Sequence, residues 1–368
     1  MAMHSGPDGR PPALKRIADI SPGWIEHVLR ASGLGRVAVS AVELEPIGAG
    51  NASDTKRVLI DYAEHAPGAP TSLVCKFHPD DDQRRMGMEA GGTFDREIGS
   101  FRAIAARDAC RIPRAYLLAH DGGNFNLVME DLSSRAVLGD QIAGCAPDEA
   151  AAVLVEMGRL HRAFAGSTEA DASDWMMRMS TLADHFGAEI LRGAEVAEDR
   201  FGDRLSGAAY TMIRECAELA DAWFRVPSSR LTLTHGDLRV DNVLFERHAG
   251  RAQAILIDWQ LTGLRNPMWD VAYFVASSLK VEDRRRHERE LLVRYLETLG
   301  DAIPGFDEAQ AIADCRLYMI ASLAINILST AVLPRDPSVD ALILTLLERA
   351  RAAADDWDAL QAVRGVIG

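Results

Sequence analysis

One stretch of the sequence constrains the chain more than any other feature. It consists of residues 234–245, THGDLRVDNVLF, and residues 255–260, ILIDWQ. Short strand-forming segments flank tight polar connections in both parts. The pattern therefore sets a carboxylate, Asp237, an amide, Asn242, and a second carboxylate, Asp258, at the ends of neighbouring short strands. Few folds need these side-chain types at this spacing.

The three residue types suit phosphoryl transfer to a hydroxyl group. That reaction needs a carboxylate to orient the attacking hydroxyl or accept its proton, and hard oxygen ligands that hold Mg²⁺ against the phosphates. We predict Asp237 as the carboxylate, and Asn242 and Asp258 as the metal ligands. The spacing from Asp237 to Asn242 equals that of the protein-kinase pattern H-R-D-L-x-x-x-N, and Asp258 falls where the D-F-G aspartate would. A polar turn between two buried strands is the structural alternative.

Two other residues of the loop have predicted roles. Arg239 occupies the position of a protein-kinase lysine that faces the transferred phosphate, and we predict a charge clamp on the γ-phosphate. A solvated loop arginine is the alternative. His235 is predicted to fix the loop through hydrogen bonds rather than to carry a proton.

The N-terminal part of the chain offers residues for a nucleotide. Lys76 lies in an otherwise apolar strand, where an unpaired ammonium group is costly to bury. We predict that it pairs with Glu97 of the following helix and with the α/β-phosphates; an exposed sheet edge is the alternative. Gly48, Gly50 and Asn51 lie between two predicted strands and indicate a glycine-rich lid, since glycine lets backbone N–H groups approach phosphates.

The last predicted strand of this part ends at residues 129–132, MEDL. A two-lobed kinase has its hinge at this position. We therefore predict that backbone groups of Glu130 and Leu132 bond the adenine edge, with a simple strand end as the alternative.

Hydrophobic periodicity divides the chain into two parts. The first ~130 residues alternate as strands around one helix, and an N-terminal helix at about 21–34 precedes them. From Pro147 onward helices dominate, apart from the short strands around Asp237. This predicts an α+β, two-lobed fold, with an antiparallel β-sheet lobe over 1–132 and a mostly helical lobe over 133–368.

Charge and cysteine usage limit the partners and the compartment. A net charge of −14 argues against nucleic-acid binding, which normally needs a basic face. The five cysteines are scattered without a C-x-x-C pair, and no signal peptide is evident, so we expect a cytoplasmic protein. The apolar residues 317–333 include Ser322 and Asn326 and fall short of the roughly 20 apolar residues of a membrane span. They predict a buried helix and no membrane partner; the oligomeric state stays open.

Taken together, these residues resemble the aminoglycoside phosphotransferase and choline kinase superfamily, with its protein-kinase-like fold. The motif H-G-D-L-R-x-D-N-x-L-F followed by D-W-Q looks most like the ecdysteroid-kinase-like branch and its bacterial relatives. The resemblance implies ATP and Mg²⁺ as cofactors and a small-molecule hydroxyl as the acceptor. An aspartate at the position of Asp270 braces the catalytic loop in this superfamily, so Asp270 is assigned a supporting role, with a solvated helix-start carboxylate as the alternative.

Two departures from protein kinases bear on the acceptor. Gly236 replaces an arginine that often pairs with a phosphorylated activation loop, and the 11 residues between Asp258 and Asp270 are too few to dock a peptide. We expect the helical segments around 170–225 and 280–345 to form the acceptor pocket. The resemblance favours a bulky alcohol, whereas the net charge favours a cation such as an aminoglycoside. Candidates for an apolar lining are Trp175, Met176, Met177 and Met179.

Two functions of other classes remain as alternatives. One is a nucleotide-binding pseudokinase that acts as an interaction module, although the complete set of predicted site residues argues against it. The other is a metallohydrolase that uses His235 and Asp237 as ligands, with His161 or Asp258 as the further ligand. The sequence also leaves ATP or GTP open as the phosphate donor.

Overall fold

The computed structural model describes residues 11–47, 53–168, 171–228 and 230–368. They form two compact units. The first contains the residues up to Ala103 together with Ile112–Arg135, and the second contains Ile104–Arg111 together with Ala136–Gly368. Gly48, Gly50 and Asn51, the predicted lid, lie outside the described residues.

The first unit is built on a five-stranded antiparallel sheet with the strand order β1-β2-β3-β5-β4. Its hairpin between β4 and β5 turns through Gly122 and Gly123, whose φ values of 56° and 77° are those a tight two-residue turn requires. The strands are β1 (Val39–Pro46), β2 (Asp54–Tyr62), β3 (Ser72–Phe77), β4 (Ala115–Asp121) and β5 (Asn124–Glu130).

Three α-helices accompany this sheet: α1 (Pro22–Leu29), α2 (Asp82–Ala90) and α3 (Thr93–Arg107). Helix α1 begins at Ser21, whose hydroxyl accepts from the Trp24 N–H, and proline occupies its first position. Trp24 is fully buried and packs edge-on against Phe77 of β3, with ring centroids 6.2 Å apart. The sheet therefore has one face covered by α1.

His120 of β4 joins the two other helices of the first unit. Its Nδ1 lies 2.7 Å from Asp95 Oδ1 on α3, and its Nε2 lies 3.0 Å from Glu89 Oε2 on α2. Burial by itself lowers the pKa of His120, but the two carboxylates outweigh burial and raise the pKa above its ordinary value. The charged imidazole is therefore the form that the folded chain stabilises.

This raised pKa predicts a pH-dependent stability. The contribution of His120 is complete below its unfolded pKa of about 6.5 and is lost as pH rises through the higher folded value. We expect His120→Gln to lower the free energy of unfolding more at about pH 5.5 than at about pH 8.5, as measured by urea denaturation. His248→Gln, at an exposed histidine of the second unit, is the matched control. An effect of His120→Gln that does not vary with pH contradicts the prediction.

The second unit is mainly helical. Its helices are α4 (Pro147–Ala163), α5 (Met179–Phe201), α6 (Gly207–Phe224), α7 (Met268–Ser278), α8 (Val281–Leu299), α9 (Glu308–Tyr318), α10 (Ile320–Val332), α11 (Pro337–Asp356) and α12 (Ala359–Ile367). A small sheet has the order β6-β8-β9, and a second pairs β7 with β10. These strands are β6 (Val137–Leu138), β7 (Thr232–Thr234), β8 (Val243–His248), β9 (Arg251–Leu256) and β10 (Gly263–Arg265).

The apolar stretch near residue 320 lies mainly in α10, which follows directly after α9. By length and composition the stretch Glu308–Val332 could cross a membrane, but 67% of its most apolar window is buried inside the protein. Ile320, Leu323 and Ile327 are fully buried. Such burial is typical of a helix in the core of a folded protein.

An antiparallel sheet in the first unit and a helical second unit confirm the predicted α+β fold of protein-kinase type.

Candidate active site

The loop that carries Asp237 begins where β7 ends. Strand β7 pairs with β10, so that Thr234 lies opposite Gly263. Gly236 follows with a φ of 88°, and a Cβ at this position would lie 2.1 Å from the Leu261 carbonyl oxygen. Both its backbone conformation and its surroundings require glycine. A 3-10 turn, Val240–Asn242, then leads into β8.

Asp270, in the first turn of α7, supports this loop from inside the protein. Its carboxylate is fully buried and accepts from two consecutive backbone groups, the His235 N–H at 2.7 Å and the Gly236 N–H at 2.9 Å. Trp269 also donates its indole N–H to the Gly236 carbonyl, at 3.0 Å. The alternative of a solvated carboxylate is wrong, and the loop is fixed by three hydrogen bonds from α7.

His161 of α4 extends this buried network. Its Nε2 lies 3.2 Å from Asp270 Oδ2, and its Nδ1 lies 2.9 Å from the hydroxyl oxygen of Tyr295 on α8. Burial alone would raise the pKa of Asp270, but the hydrogen bond and charge of His161, with the Gly236 N–H, hold it below its usual range. The carboxylate therefore stays ionised without contact with water.

The two histidines proposed for a metallohydrolase are fully occupied. His235 Nε2 donates to the Ile257 carbonyl at 2.9 Å, and its Nδ1 accepts from the Asp237 N–H at 3.3 Å. Both nitrogens of His161 are bonded as described above. Across the described ranges no group of three or more His, Cys, Asp or Glu side chains is arranged to hold a metal ion. This geometry argues against the metallohydrolase alternative and fits the loop-fixing role of His235.

Asp237 receives contacts on both of its carboxylate oxygens. Tyr273 of α7 donates its hydroxyl to Oδ1 at 3.1 Å, and Arg239 Nε lies 3.2 Å from the same atom. Asn242 Nδ2 donates to the Asp237 backbone carbonyl at 2.8 Å and lies 3.3 Å from Oδ2. The Asp237 side chain is 23% exposed. A carboxylate that is oriented by the protein and open to solvent can meet a hydroxyl group from outside.

Arg239 belongs to a cluster of charges within the loop. Its second partner is Asp241, with Nη1 3.5 Å from Oδ2. Burial lowers the pKa of Arg239, but Asp237 and Asp241 outweigh burial and raise it, so the guanidinium stays charged. Burial also raises the pKa of Asp241, against the attraction of Arg239. The arginine is thus held by two carboxylates rather than solvated.

Asp258 and Asn242 are tied together by the backbone. Ile257 donates its N–H to the Asn242 carbonyl at 3.0 Å, and Asp258 follows with a φ of 65°. Aspartate is among the few residues that tolerate this left-handed conformation, which is enriched at functional sites. The Asn242 amide nitrogen faces Asp237, so its oxygen Oδ1 is directed away from that residue. Two hard oxygen donors of this kind fit Mg²⁺, which takes one or two protein ligands besides phosphate oxygens.

The Trp-Met segment of the sequence, residues 175–179, lies beside the same loop. Met177 donates its N–H to the Thr262 carbonyl at 3.0 Å and forms a parallel bridge with Gly263 of β10. A Cβ at Gly263 would lie 1.9 Å from the Met177 carbonyl oxygen, so only glycine allows this approach. Met177 is buried, whereas Trp175 and Met176 are half-buried. The segment is thus joined by a single bridge to the β7–β10 sheet, whose strand β7 leads into the Asp237 loop.

In the first unit, Lys76 and Glu97 form a buried ion pair. Lys76 Nζ lies 2.7 Å from Glu97 Oε1, and the side chains are 8% and 1% exposed. Lys76 lies on β3, the middle strand of the sheet, so the exposed-edge alternative is wrong. Glu97 lies on α3. A buried pair of this kind fixes the position of the Lys76 ammonium group.

The end of β5 is bonded in a way that refines the adenine prediction. Glu130 donates its N–H to the Arg114 carbonyl at 2.8 Å, and the Leu132 carbonyl accepts from Arg135 at 3.0 Å. The predicted adenine contact therefore falls on the Glu130 carbonyl and the Leu132 N–H. The side chain of Asp131, between them, accepts from Arg57 and Ser72 at 2.8 and 2.7 Å and holds the segment to the sheet.

Sequence reasoning missed two residues of this site. Tyr273 was not singled out from the sequence, since no local pattern distinguishes it from the apolar residues around it in α7. His161 was read as part of the apolar face of α4 and as a conditional metal ligand. A polar ring in such a face is the signal for a buried hydrogen-bond network.

The sequence of this chain matches one protein family and part of one curated protein. A model of the ecdysteroid kinase-like family matches residues 48–304. A probable acyl-CoA dehydrogenase of Arabidopsis thaliana is 26% identical over 200 residues, which is 50% of this chain and 23% of that protein. The chain thus spans about a quarter of the length of this curated relative.

Three solved structures share the fold at low sequence identity. A choline/ethanolamine kinase family protein from Mesorhizobium loti has a TM-score of 0.54 at 16% identity, over 88% of this chain and 92% of that chain. Choline kinase from Cryptosporidium parvum Iowa II has a TM-score of 0.52 at 14% identity, over 94% and 93%. A microcompartment-associated aminopropanol kinase has a TM-score of 0.53 at 13% identity, over 88% and 94%.

Proposed function

The chain belongs to the ecdysteroid kinase-like family, as its motif predicted, and we propose that it transfers the γ-phosphoryl group of ATP to a hydroxyl of a small molecule. The single observation that carries the proposal is the environment of Asp237. A loop bonded to the buried Asp270 holds this carboxylate partly open to solvent, with Asn242 beside it. Such a group can orient a hydroxyl for in-line attack.

The loop residues have separate tasks in this reaction. Asp237 orients the acceptor hydroxyl and takes its proton as the oxygen attacks the γ-phosphorus. Arg239 is charged and carries its guanidinium beside Asp237, where it stabilises the negative charge on the transferred group. Asn242 and Asp258 would hold Mg²⁺, which would neutralise part of the negative charge on the phosphates. ADP is the leaving group.

The first unit supplies the phosphate anchor in this proposal. The ammonium group of Lys76 contacts the α/β-phosphates, and Glu97 sets its direction through the 2.7 Å ion pair. Because the pair is buried, its charge interactions are screened less than those of an exposed pair. Gly48, Gly50 and Asn51 remain the proposed lid, and the Glu130 carbonyl and Leu132 N–H the proposed adenine contacts.

For the acceptor side, we propose that the Trp-Met segment forms one wall of the pocket. It is bonded to β10 through Met177, so its position is fixed relative to the strand that leads into Asp237. Half-buried Trp175 and Met176 offer apolar surface to a ligand. Bulky alcohols, amino alcohols, sugars and aminoglycosides remain the acceptor candidates.

The proposed wall predicts a selective effect on acceptor binding. Trp175→Ala is expected to raise KM for the acceptor about tenfold, because burying an aromatic side chain against a ligand is worth about 1.5–3 kcal/mol. KM for ATP should stay within about twofold. Val366→Ala, at an exposed apolar residue of α12, is the control and should change neither constant. If KM for the acceptor is equal in the Trp175 variant and the wild type, the Trp-Met segment does not form a wall of the acceptor pocket.

A screen of phosphoryl acceptors tests the proposed function itself. The chain is incubated with ATP and Mg²⁺ and with a library of hydroxyl compounds from each candidate class, and ADP release is measured. ADP release that depends on one class of acceptor supports the proposal. Nucleotide binding without transfer to any compound favours the pseudokinase alternative. A parallel series with GTP in place of ATP shows which nucleotide is the phosphate donor.

A further inference from the structure

Tyr273 stands one turn of helix after Asp270 on α7. Its side chain is 1% exposed, so the phenol is embedded in the protein, and its hydroxyl lies 3.1 Å from Asp237 Oδ1. Helix α7 thus contacts the loop at two levels: Asp270 holds the backbone of His235 and Gly236, and Tyr273 reaches the side chain of Asp237.

The two oxygens of Asp237 have different surroundings. Oδ1 is contacted by Tyr273 and by Arg239, at 3.1 and 3.2 Å, whereas Oδ2 is contacted by Asn242 at 3.3 Å. Under the proposed function, Arg239 also serves the transferred phosphate and Asn242 the metal. Their contacts with Asp237 are therefore shared with the reacting groups. Tyr273 has no comparable second task in that scheme.

We propose that Tyr273 is a positioning residue, which holds Oδ1 of Asp237 so that Oδ2 faces the acceptor hydroxyl. The inference rests on the proposed function and deepens it. A carboxylate can rotate about its Cβ–Cγ bond, and a fixed donor on one oxygen removes that freedom. Burial raises the pKa of Tyr273 well above its ordinary value, so the phenol remains a donor throughout the working pH range.

The test is Tyr273→Phe, which removes one oxygen atom and keeps the ring. We expect kcat to fall about 10- to 100-fold, the loss that a small misplacement of a catalytic group causes. KM for ATP and for the acceptor should change less than about twofold, because the ring still packs and no substrate contact is removed. Tyr62→Phe is the matched control, since its hydroxyl donates to the Pro70 carbonyl at 2.7 Å and lies on β2 of the first unit.

Non-additivity separates positioning from a merely structural role. In an Asp237→Asn background there is no carboxylate left to position, so adding Tyr273→Phe should cost less than about threefold. A structural defect would instead multiply with the loss from Asp237→Asn. Thermal unfolding of both variants checks that the fold is kept.

The outcomes are distinct. An unchanged kcat in Tyr273→Phe, or a full multiplicative loss in the double variant, overturns the role of Tyr273 and leaves the proposed function standing. If Tyr273→Phe unfolds at the assay temperature, the same kcat comparison is made at a lower temperature at which all variants are folded, and full additivity there likewise overturns the inference. A wild-type chain that binds ATP with Mg²⁺ and phosphorylates no acceptor overturns the proposed function and this inference together.

Discussion

Asp237→Asn is expected to reduce phosphoryl transfer to a small residual rate while ATP affinity stays within about twofold. Asparagine keeps the shape of the side chain, so the Tyr273 hydroxyl still has an acceptor at the Oδ1 position. The asparagine amide cannot accept a proton from the acceptor hydroxyl. Proton transfer by a positioned side chain contributes about 10²- to 10⁴-fold to the rate of such reactions. Initial rates of acceptor phosphorylation, with ATP binding by calorimetry, measure the two effects. ATP affinity should be kept because the substitution does not change the proposed phosphate anchor at Lys76.

Asp258→Ala gives the informative comparison for this result. It removes a proposed metal ligand, so both transfer and binding of the metal–nucleotide complex should fall. Titration with Mg²⁺ should then show a higher metal requirement than in the wild type or in Asp237→Asn. Near-wild-type turnover in Asp237→Asn, or unchanged metal dependence in Asp258→Ala, contradicts the assigned roles.

Asp270→Ala is expected to give the largest loss of stability of any single polar substitution considered for this chain. The change leaves the His235 and Gly236 N–H groups and the His161 ring buried without their acceptor. Removing one partner from such a buried network costs about 3–5 kcal/mol of unfolding free energy. Transfer should be lost as well, since the loop that carries Asp237 loses two of its hydrogen bonds.

Urea denaturation measures this effect, with Glu282→Ala as the control. Glu282 is also an acidic residue in the first turn of a helix, but it is exposed, and its loss should cost about 1 kcal/mol or less. The lowered pKa of Asp270 means that its contribution is present above the ordinary aspartate range and is lost as pH falls through the lower folded value. A cost for Asp270→Ala no larger than that of the control would show that the carboxylate does not brace the loop.

Local patterns explain what the sequence could predict. The spacing of Asp237, Asn242 and Asp258 depends on one tight loop and on the β8–β9 hairpin that follows it, so all three lie in one local stretch of the chain. The partner of Lys76 could be inferred because an ammonium group in an apolar strand needs a nearby carboxylate. The hairpin at residues 121–124 and the core helix near residue 320 follow from turn chemistry and apolar content in the same way.

Contacts that depend on tertiary packing were not predictable. Helix α7 is buried on all sides, so its sequence has no polar face from which the direction of Tyr273 could be inferred. The bond from His161 to Asp270 joins positions 109 residues apart, and no local pattern relates them. Met177 can approach Gly263 only because Gly263 has no side chain. In the sequence nothing distinguishes this glycine from the others.

The most direct test of the account compares the wild type with Asp237→Asn in one assay. Both proteins are incubated with ATP, Mg²⁺ and the acceptor library, and the products are identified by mass spectrometry. We predict that the wild type adds one phosphoryl group to a hydroxyl of at least one acceptor class, and that Asp237→Asn binds ATP but forms this product at least about 100-fold more slowly. Equal product formation by the two proteins, or its absence from both despite ATP binding, contradicts the central claim that Asp237 is the catalytic carboxylate of a small-molecule kinase.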